Sequence, residues 1–370
     1  MSKIRVLTVF GTRPEAIKMA PLVKELEKNS DTFESIVCVT AQHREMLDQV
    51  LSLFDIEPDY DLNVMKPNQN LWSLTSDVLL QMKDVIEQSK PNIVLVHGDT
   101  TTSMAAALSA FYAKVPVGHV EAGLRTFDKH YPFPEEINRV FADAVCSYHF
   151  APTKTSVNNL INSAIPQEHI YKTGNTVIDA LLHTVENNEV DLNYIGLNPN
   201  LKTILLTSHR RENFGEPIIN ICNAVLELVE KNPDIQVVYP VHLNPNVQKP
   251  VKEILGNKER IYLIEPMEYA PFSSLMKKSY LIMTDSGGVQ EEAPSLGKPV
   301  LVLRTTTERP EAVEHGTVKL VGTDKNNIVK EVQNLLDNSD EYKKMSETLN
   351  PYGDGLASRR IVEIIKKNFN

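Results

Sequence analysis

The chain has 370 residues, 42% of them hydrophobic and 23% charged. That length suits about two domains of roughly 100–200 residues each, and the composition argues against extended disorder. Thirty-eight Lys and Arg against 48 Asp and Glu leave a formal net charge of −10, which argues against a main task of gripping nucleic acid or an anionic membrane. A local basic pocket for a small anion stays open.

The chain opens with a strand pattern rather than a cleavable signal, and no apolar run nears the ~20 residues needed to span a bilayer. Cys38, Cys146 and Cys222 are few, odd in number and far apart, so reduced core cysteines are expected rather than a disulfide or metal framework. A soluble cytoplasmic protein is the expectation.

Short β-branched runs alternate with amphipathic stretches. Strands are expected at 5–10, 34–40, 92–97, 115–120 and 147–151, with helices at 16–28, 42–54, 71–88 and 102–113 between them. After a polar stretch at 187–200 the rhythm restarts, with strands at 202–207, 235–240, 260–263, 281–285 and 299–303. A last helix follows Pro351, with Ile361, Ile364 and Ile365 at helical spacing, and 366–370 reads as its frayed end. Trp72 reads as a packing residue of its helix. The whole is α/β: two doubly wound parallel sheets, expected as domains 1–175 and 176–352. Ligands of such sheets bind beyond the carboxyl ends of the strands, so a cleft between the domains is the expected site.

The first strand runs into Gly11-Thr12-Arg13-Pro14-Glu15, with Lys18 one turn on. Backbone N–H groups with Arg13 and Lys18 would make an anion cradle there. Neither a dinucleotide fingerprint nor a Walker loop occurs. Two later strand ends share a grammar, His97-Gly98-Asp99 and His119-Val120-Glu121. Residues two apart point to one side of an extended chain. On neighbouring strands, Asp99 and Glu121 would then emerge close together as a pair able to hold an acid and a base. Pro132-Phe133-Pro134-Glu135-Glu136 adds carboxylates at a helix start, with Arg139 one turn later. The bland reading of Asp99 is a cap for the next helix. A divalent metal on the two histidines and two acids is the weaker rival, because the histidines fall at the buried ends of apolar strands.

In the second half, Ser208-His209-Arg210-Arg211 suits phosphate or proton transfer, and His242 ends the next strand. Thr284-Asp285-Ser286-Gly287-Gly288 opens a helix bearing Glu292. Its N–H groups suit a diphosphate, and a carboxylate one turn in suits ribose hydroxyls. Arg304 and Arg309 follow the next strand and could close over the same anion.

Together these segments resemble the non-hydrolysing UDP-N-acetylglucosamine 2-epimerases, along essentially the whole chain. The matching stretches include 9–19, 96–102, 118–125, 134–139, 209–213 and 284–298. The resemblance implies a glycosyltransferase-B type fold, two Rossmann-like domains facing a cleft that closes on substrate, the last helix (about 353–370) packing back on the first domain, and a homodimer. It implies reversible conversion of UDP-N-acetylglucosamine to UDP-N-acetylmannosamine through a 2-acetamidoglucal, with no cofactor and no metal. By matched position, Asp99, Glu121, Glu135 and His209 are the catalytic set. Arg13, Lys18, Arg139, Ser286, Gly287, Gly288, Glu292 and Arg309 are the substrate and UDP contacts. Gln42, His43, Gln69, Glu136, Arg210 and His242 match a second, activating UDP-N-acetylglucosamine site. Asn68, Tyr131 and Thr305 depart from the family's pattern, Asn68 standing where activator-dependent relatives can carry arginine. The competing functions are a hydrolysing epimerase, a glycosyltransferase on the same fold and a catalytically silent nucleotide-sugar sensor.

Overall fold

The computed structural model describes residues 3–41, 44–66, 69–188 and 190–369. They form two compact units, one of residues 1–180 with 352–370 and one of residues 181–351. The division falls inside the helix Thr176–Asn187. Among the described residues no helix is long and apolar enough to cross a membrane.

The first unit holds a seven-stranded sheet of β1 (Ile4–Phe10), β2 (Phe33–Val39), β3 (Tyr60–Asp61), β4 (Ile93–His97), β5 (Val117–Val120), β6 (Tyr148–Ala151) and β7 (Ile170–Lys172). Its order is β3-β2-β1-β4-β5-β6-β7, and every pairing is parallel. Strands covered on both faces read as continuous apolar runs, which is how β4 reads; all five of its residues are buried. The order reverses at β1 and β4, whose outgoing turns carry Arg13 and Asp99. Such a switch point is where an open α/β sheet receives its ligand.

The second unit repeats the plan with β8 (Lys202–Thr207), β9 (Ile235–Pro240), β10 (Ile261–Ile264), β11 (Leu281–Thr284), β12 (Val300–Val302) and β13 (Val318–Leu320). The order is β10-β9-β8-β11-β12-β13, parallel throughout. Its switch lies between β8 and β11, the strands that end at His209 and at the Ser-Gly-Gly turn. Ile204, Leu206, Ile221, Val225 and Leu281 pack into its core.

The C-terminal helix Ala357–Phe369 belongs to the first unit, against the helix Arg13–Lys28. Asp179 caps it, accepting from the N–H of Ala357 at 3.2 Å and of Ser358 at 2.7 Å. Two expectations are corrected here. The helix does not fray at 366 but runs to Phe369, whose ring lies 5.8 Å from that of Tyr148. Trp72 does not pack inside its helix Leu71–Ser89 but is 82% exposed. The helix buries Leu74, Val78, Met82, Val85 and Ile86 instead, a stripe at three- and four-residue spacing that misses position 72.

Gly118 in β5 has no room for a side chain. A Cβ there would stand 2.7 Å from Leu95 Cδ2 and 2.9 Å from Phe150 Cε2. Gly118→Ala should therefore cost about 1–3 kcal/mol through overpacking, read as a lower urea midpoint; an unchanged midpoint would mean the sheet face yields freely.

Candidate active site

In the first unit three turns converge at the carboxyl edge of the sheet. The turn after β1 places Arg13 at the first position of its helix, half-buried, and Lys18 one turn later. Lys18 Nζ is ion-paired with Glu121 Oε2. Asn175 Nδ2 donates to the same oxygen at 2.9 Å, and His97 Nε2 stands 3.8 Å from it. Burial pushes His97 down to about 3, so it is a neutral imidazole beneath the pair.

Asp99, on the neighbouring turn, is paired with Arg139 Nη2. Arg139 is nine-tenths buried on the helix Glu135–Val145, where Nη1 also lies 3.4 Å from Glu136. Glu135 starts that helix, half-buried. Asp99 is not a helix cap, since Thr100 holds that place and its hydroxyl accepts from Ser103 N.

The expected same-side pairing of histidine and acid is also corrected. Gly98 and Glu121 both have φ near +64°, so the chain leaves the extended conformation before either carboxylate, and the two-residue alternation stops there. His119 accordingly turns inward. Its Nδ1 lies 2.6 Å from Asp143 and its Nε2 2.7 Å from the Gly98 carbonyl. Arg125 donates to the same Asp143 at 2.6 Å. Burial works against a charge on His119, but Asp143 outweighs it and holds the imidazole above its ordinary range.

The second unit gathers its turns around another buried carboxylate. Asp285 Oδ2 accepts from Ser208 Oγ at 2.9 Å, His209 N at 2.8 Å, Arg210 N at 3.0 Å and Asn213 Nδ2 at 2.9 Å. Asp285 Oδ1 lies 3.3 Å from His209 Nδ1. His209 is nonetheless held below the usual imidazole range, because partial burial outweighs that carboxylate. Its ring stacks on His242 at 5.7 Å between centroids. A cavity of about 210 Å³ opens beside them, lined by Thr207, Pro240, Met267, Phe272, Ser286 and Val289 among others.

Ser286 caps the short helix Gly287–Glu292. A Cβ at Gly287 would lie 3.6 Å from Arg210 Nη2 and 3.9 Å from Arg309 Cζ, so two guanidiniums flank the turn whose backbone Gly287 and Gly288 expose. Arg309 is paired with Glu291, and Arg210 with Glu308 at 2.7 Å. Glu292 accepts from Tyr269 Oη at 2.9 Å. Arg304 does not stand open to an anion, as expected of it, because it is buried and paired with Glu212 at 2.6 Å and with Glu308. Burial would raise Glu308, but its own N–H, Arg304 and Arg210 outweigh it and hold the carboxyl at about 2. A depressed carboxylate keeps its pairing above its ordinary range and loses it only as pH falls towards that value.

A family model described as UDP-N-acetylglucosamine 2-epimerase matches residues 24–366. The curated UDP-N-acetylglucosamine 2-epimerase of Escherichia coli K12 is 57% identical over 373 residues, covering 99% of each chain. The chain belongs to the UDP-N-acetylglucosamine 2-epimerase family, which is a family of isomerases. A crystal structure from Listeria monocytogenes, 53% identical, has a TM-score of 0.95 and covers 100% of this chain and 97% of that one. The Neisseria meningitidis UDP-GlcNAc 2-epimerase bound to UDP-GlcNAc, 55% identical, has a TM-score of 0.87, with coverage of 99% and 100%. These likenesses identify the pair of Rossmann-like units as the glycosyltransferase-B type.

Of the residues expected at an activator site, only some lie among the described residues. Gln42 and His43 lie outside the described residues, as does Asn68. Gln69 donates to the Val64 carbonyl at 2.7 Å. Glu136 is buried and accepts from the N–H of Thr126 at 3.1 Å and of Phe127 at 3.0 Å. Its carboxylate is spent on tethering the loop before the helix. Tyr131 is 70% exposed on that loop, and Thr305 is exposed in the second unit.

Four residues of these two clusters carry no role in the amino-acid pattern alone: Glu15, Asn138 and Asn175 in the first unit and Asp285 in the second. Asn138 donates to the Asp99 carbonyl at 3.0 Å. Asp285 carried a signal, as an acid closing an apolar strand, but its motif was read for the glycines beyond it. Replacing it tests the turn directly. Asp285→Ala leaves two backbone N–H groups, a hydroxyl and an amide without their acceptor. The expected cost is about 2–5 kcal/mol with weaker UDP binding, measured by thermal unfolding and titration calorimetry. Unaltered values for both would remove Asp285 as organiser of the turn.

Proposed function

We propose that this chain interconverts UDP-N-acetylglucosamine and UDP-N-acetylmannosamine by elimination and re-addition of UDP, supplying N-acetylmannosamine units for surface polysaccharide. The observation that carries the reading is the arrangement at one sheet edge of two carboxylates already matched with cations, Asp99 with Arg139 and Glu121 with Lys18, beside Glu135. Elimination needs such a set. A carboxylate takes the proton at C2, the C2–H electron pair becomes the C1–C2 double bond, and the C1–O bond breaks with its pair leaving on UDP. The product is a 2-acetamidoglucal. Re-addition reverses each step, with a proton delivered to C2 from the opposite face. The C2 proton is weakly acidic, so stabilising the departing charge governs the rate.

Arg13 in the first unit supplies one cation for the departing diphosphate. In the second, Arg210 and Arg309 flank the turn at Gly287, and on this reading His209 exchanges a proton with phosphate and Glu292 meets the ribose hydroxyls. Gln42, His43, Gln69, Glu136, Arg210 and His242 make up the activator site of this reading. The stacking of His242 on His209 supports a link between that site and catalysis. No cofactor takes part.

Proton NMR of the enzyme with UDP-N-acetylglucosamine in deuterated water tests the reaction. The expected outcome is UDP-N-acetylmannosamine carrying deuterium at C2. Free N-acetylmannosamine with UDP would mean hydrolysis instead, and an unchanged spectrum with proven binding would leave a transferase or a sensor. Asp99→Asn should lower turnover by about 100-fold or more while UDP affinity stays within about tenfold, since it removes proton transfer and not the diphosphate grip.

The same reading includes a homodimer. Leu80 (66% exposed), Phe111 (55%) and Tyr112 (67%) stand on two helices that pack together, and Ile137 and Phe141 stand exposed on a third. Large apolar side chains left bare on adjoining helices mark an interface, and Trp72 lies on the first of them. Leu80→Glu should convert a dimer to a monomer in light scattering; a monomeric unaltered chain would end the dimer reading.

A further inference from the structure

Glu15 is a buried carboxylate that faces five donors, and the reaction as proposed makes no use of it. It is 2% exposed. One oxygen accepts from the backbone N–H of Gly11 at 3.1 Å and of Thr12 at 2.8 Å, and from the Thr12 hydroxyl at 2.8 Å. The other faces the hydroxyls of Thr100 at 2.7 Å and Ser103 at 3.1 Å. The first group of donors belongs to the turn that carries Arg13, and Thr100 follows Asp99 directly.

The Asp99 turn has no slack of its own. Ser103 donates to the His97 carbonyl, His119 lies against the Gly98 carbonyl, and Asn138 donates to the Asp99 carbonyl. Three successive carbonyls are thus held by side chains from three different elements, and Glu15 fastens the assembly to the neighbouring turn. A buried carboxylate is costly unless its hydrogen bonds are complete. Moving either turn would strip it of donors, so the two turns keep one spacing.

We propose that Glu15 is a positioning residue that locks the leaving-group turn, with Arg13, to the proton-transfer turn, with Asp99. Its part is to accept hydrogen bonds; it neither touches substrate nor needs its charge for the chemistry. This rests on the reading of Arg13 and Asp99 given above. A reacting geometry displaced by about 1 Å can cost about 100-fold in rate.

Two isotopic readouts separate the halves of the reaction. Scrambling of an ¹⁸O label out of the sugar–phosphate bridge reports C1–O cleavage, and deuterium entry at C2 reports proton transfer. In Glu15→Ala both should fall together by about 100-fold with KM changed less than about threefold. In Glu15→Gln both should return to within about fivefold of the unaltered enzyme. The amide oxygen can still serve the two backbone donors, and the hydroxyls can turn to accept from its NH₂.

A folded Glu15→Ala with both rates intact overturns the proposal. So does a loss carried wholly by KM, or a glutamine variant as slow as the alanine one. Should the alanine variant fail to fold, Thr100→Val removes the 2.7 Å bond from the Asp99 turn, together with the cap of the following helix, and leaves the bonds from the Arg13 turn in place. Deuterium entry should then fall about tenfold while UDP affinity holds, and unchanged deuterium entry overturns the lock. Asp99→Asn with undiminished deuterium entry would instead defeat the role given to Asp99, an outcome separate from every result of the Glu15 series.

Discussion

Each sheet of this protein ends in a problem of unpaired donors, and each solves it with one buried carboxylate. In a parallel sheet all the strands deliver their turns to the same edge, where backbone N–H groups leave the ladder together with no partner strand to take them. In the first unit Glu15 accepts from the N–H groups of the turn after β1 and from the Thr100 hydroxyl of the turn after β4. In the second, Asp285 collects donors from the turn after β8, from the end of β11. In both, the strands joined are sheet neighbours at the point where strand order reverses. Arg13 and Asp99 in the first unit, and His209 and Arg210 in the second, lie on turns that these two carboxylates hold.

That constraint explains how so many charges can stand near one another. Asp99 and Arg139, Glu121 and Lys18, Arg309 and Glu291, and Arg210 and Glu308 are each paired with one another. A part-buried ion left alone would pay the full cost of lost hydration. Paired, it stays ionised at modest cost. The pairs also set direction. Glu121 is ringed by Lys18 and Asn175, with the neutral His97 behind it, so its oxygens are aimed by donors on several sides rather than left to rotate.

The legible part of this arrangement was the part written locally. Runs such as Ile93–Val96 and Leu281–Met283 are apolar on both faces and ended at acids, which located both sheets and the strand-end positions of Asp99 and Glu121. The edge strands Tyr60–Asp61, Ile170–Lys172 and Val318–Leu320 were not legible. They have two or three residues each and need no continuous apolar run, because one side of an edge strand lacks a neighbour. Trp72 shows the opposite error. An aromatic residue in an apolar helix is read as core, and only the packing of neighbouring helices decides which stripe is covered. Glu15 was invisible for a further reason. Beside Arg13 and Pro14 it reads as an ordinary acid in the first turn of a helix, favourable to the helix dipole, and its second set of donors lies 85 and 88 residues away in sequence.

The loop before Glu135 joins a buried anchor to an exposed tip. Arg125 is held by Asp143, itself locked to His119, while Thr126 and Phe127 donate their N–H groups to the buried Glu136. Beyond that anchor Phe127, Tyr131 and Phe133 are 71%, 70% and 66% exposed. Glu136 and Arg139 lie one turn apart on the same helix, 3.4 Å from each other, and Arg139 holds Asp99. Any change in how Glu136 grips the loop alters the field on Arg139, and through it the placing of Asp99. The exposed tip and Asp99 are therefore joined by three consecutive polar contacts.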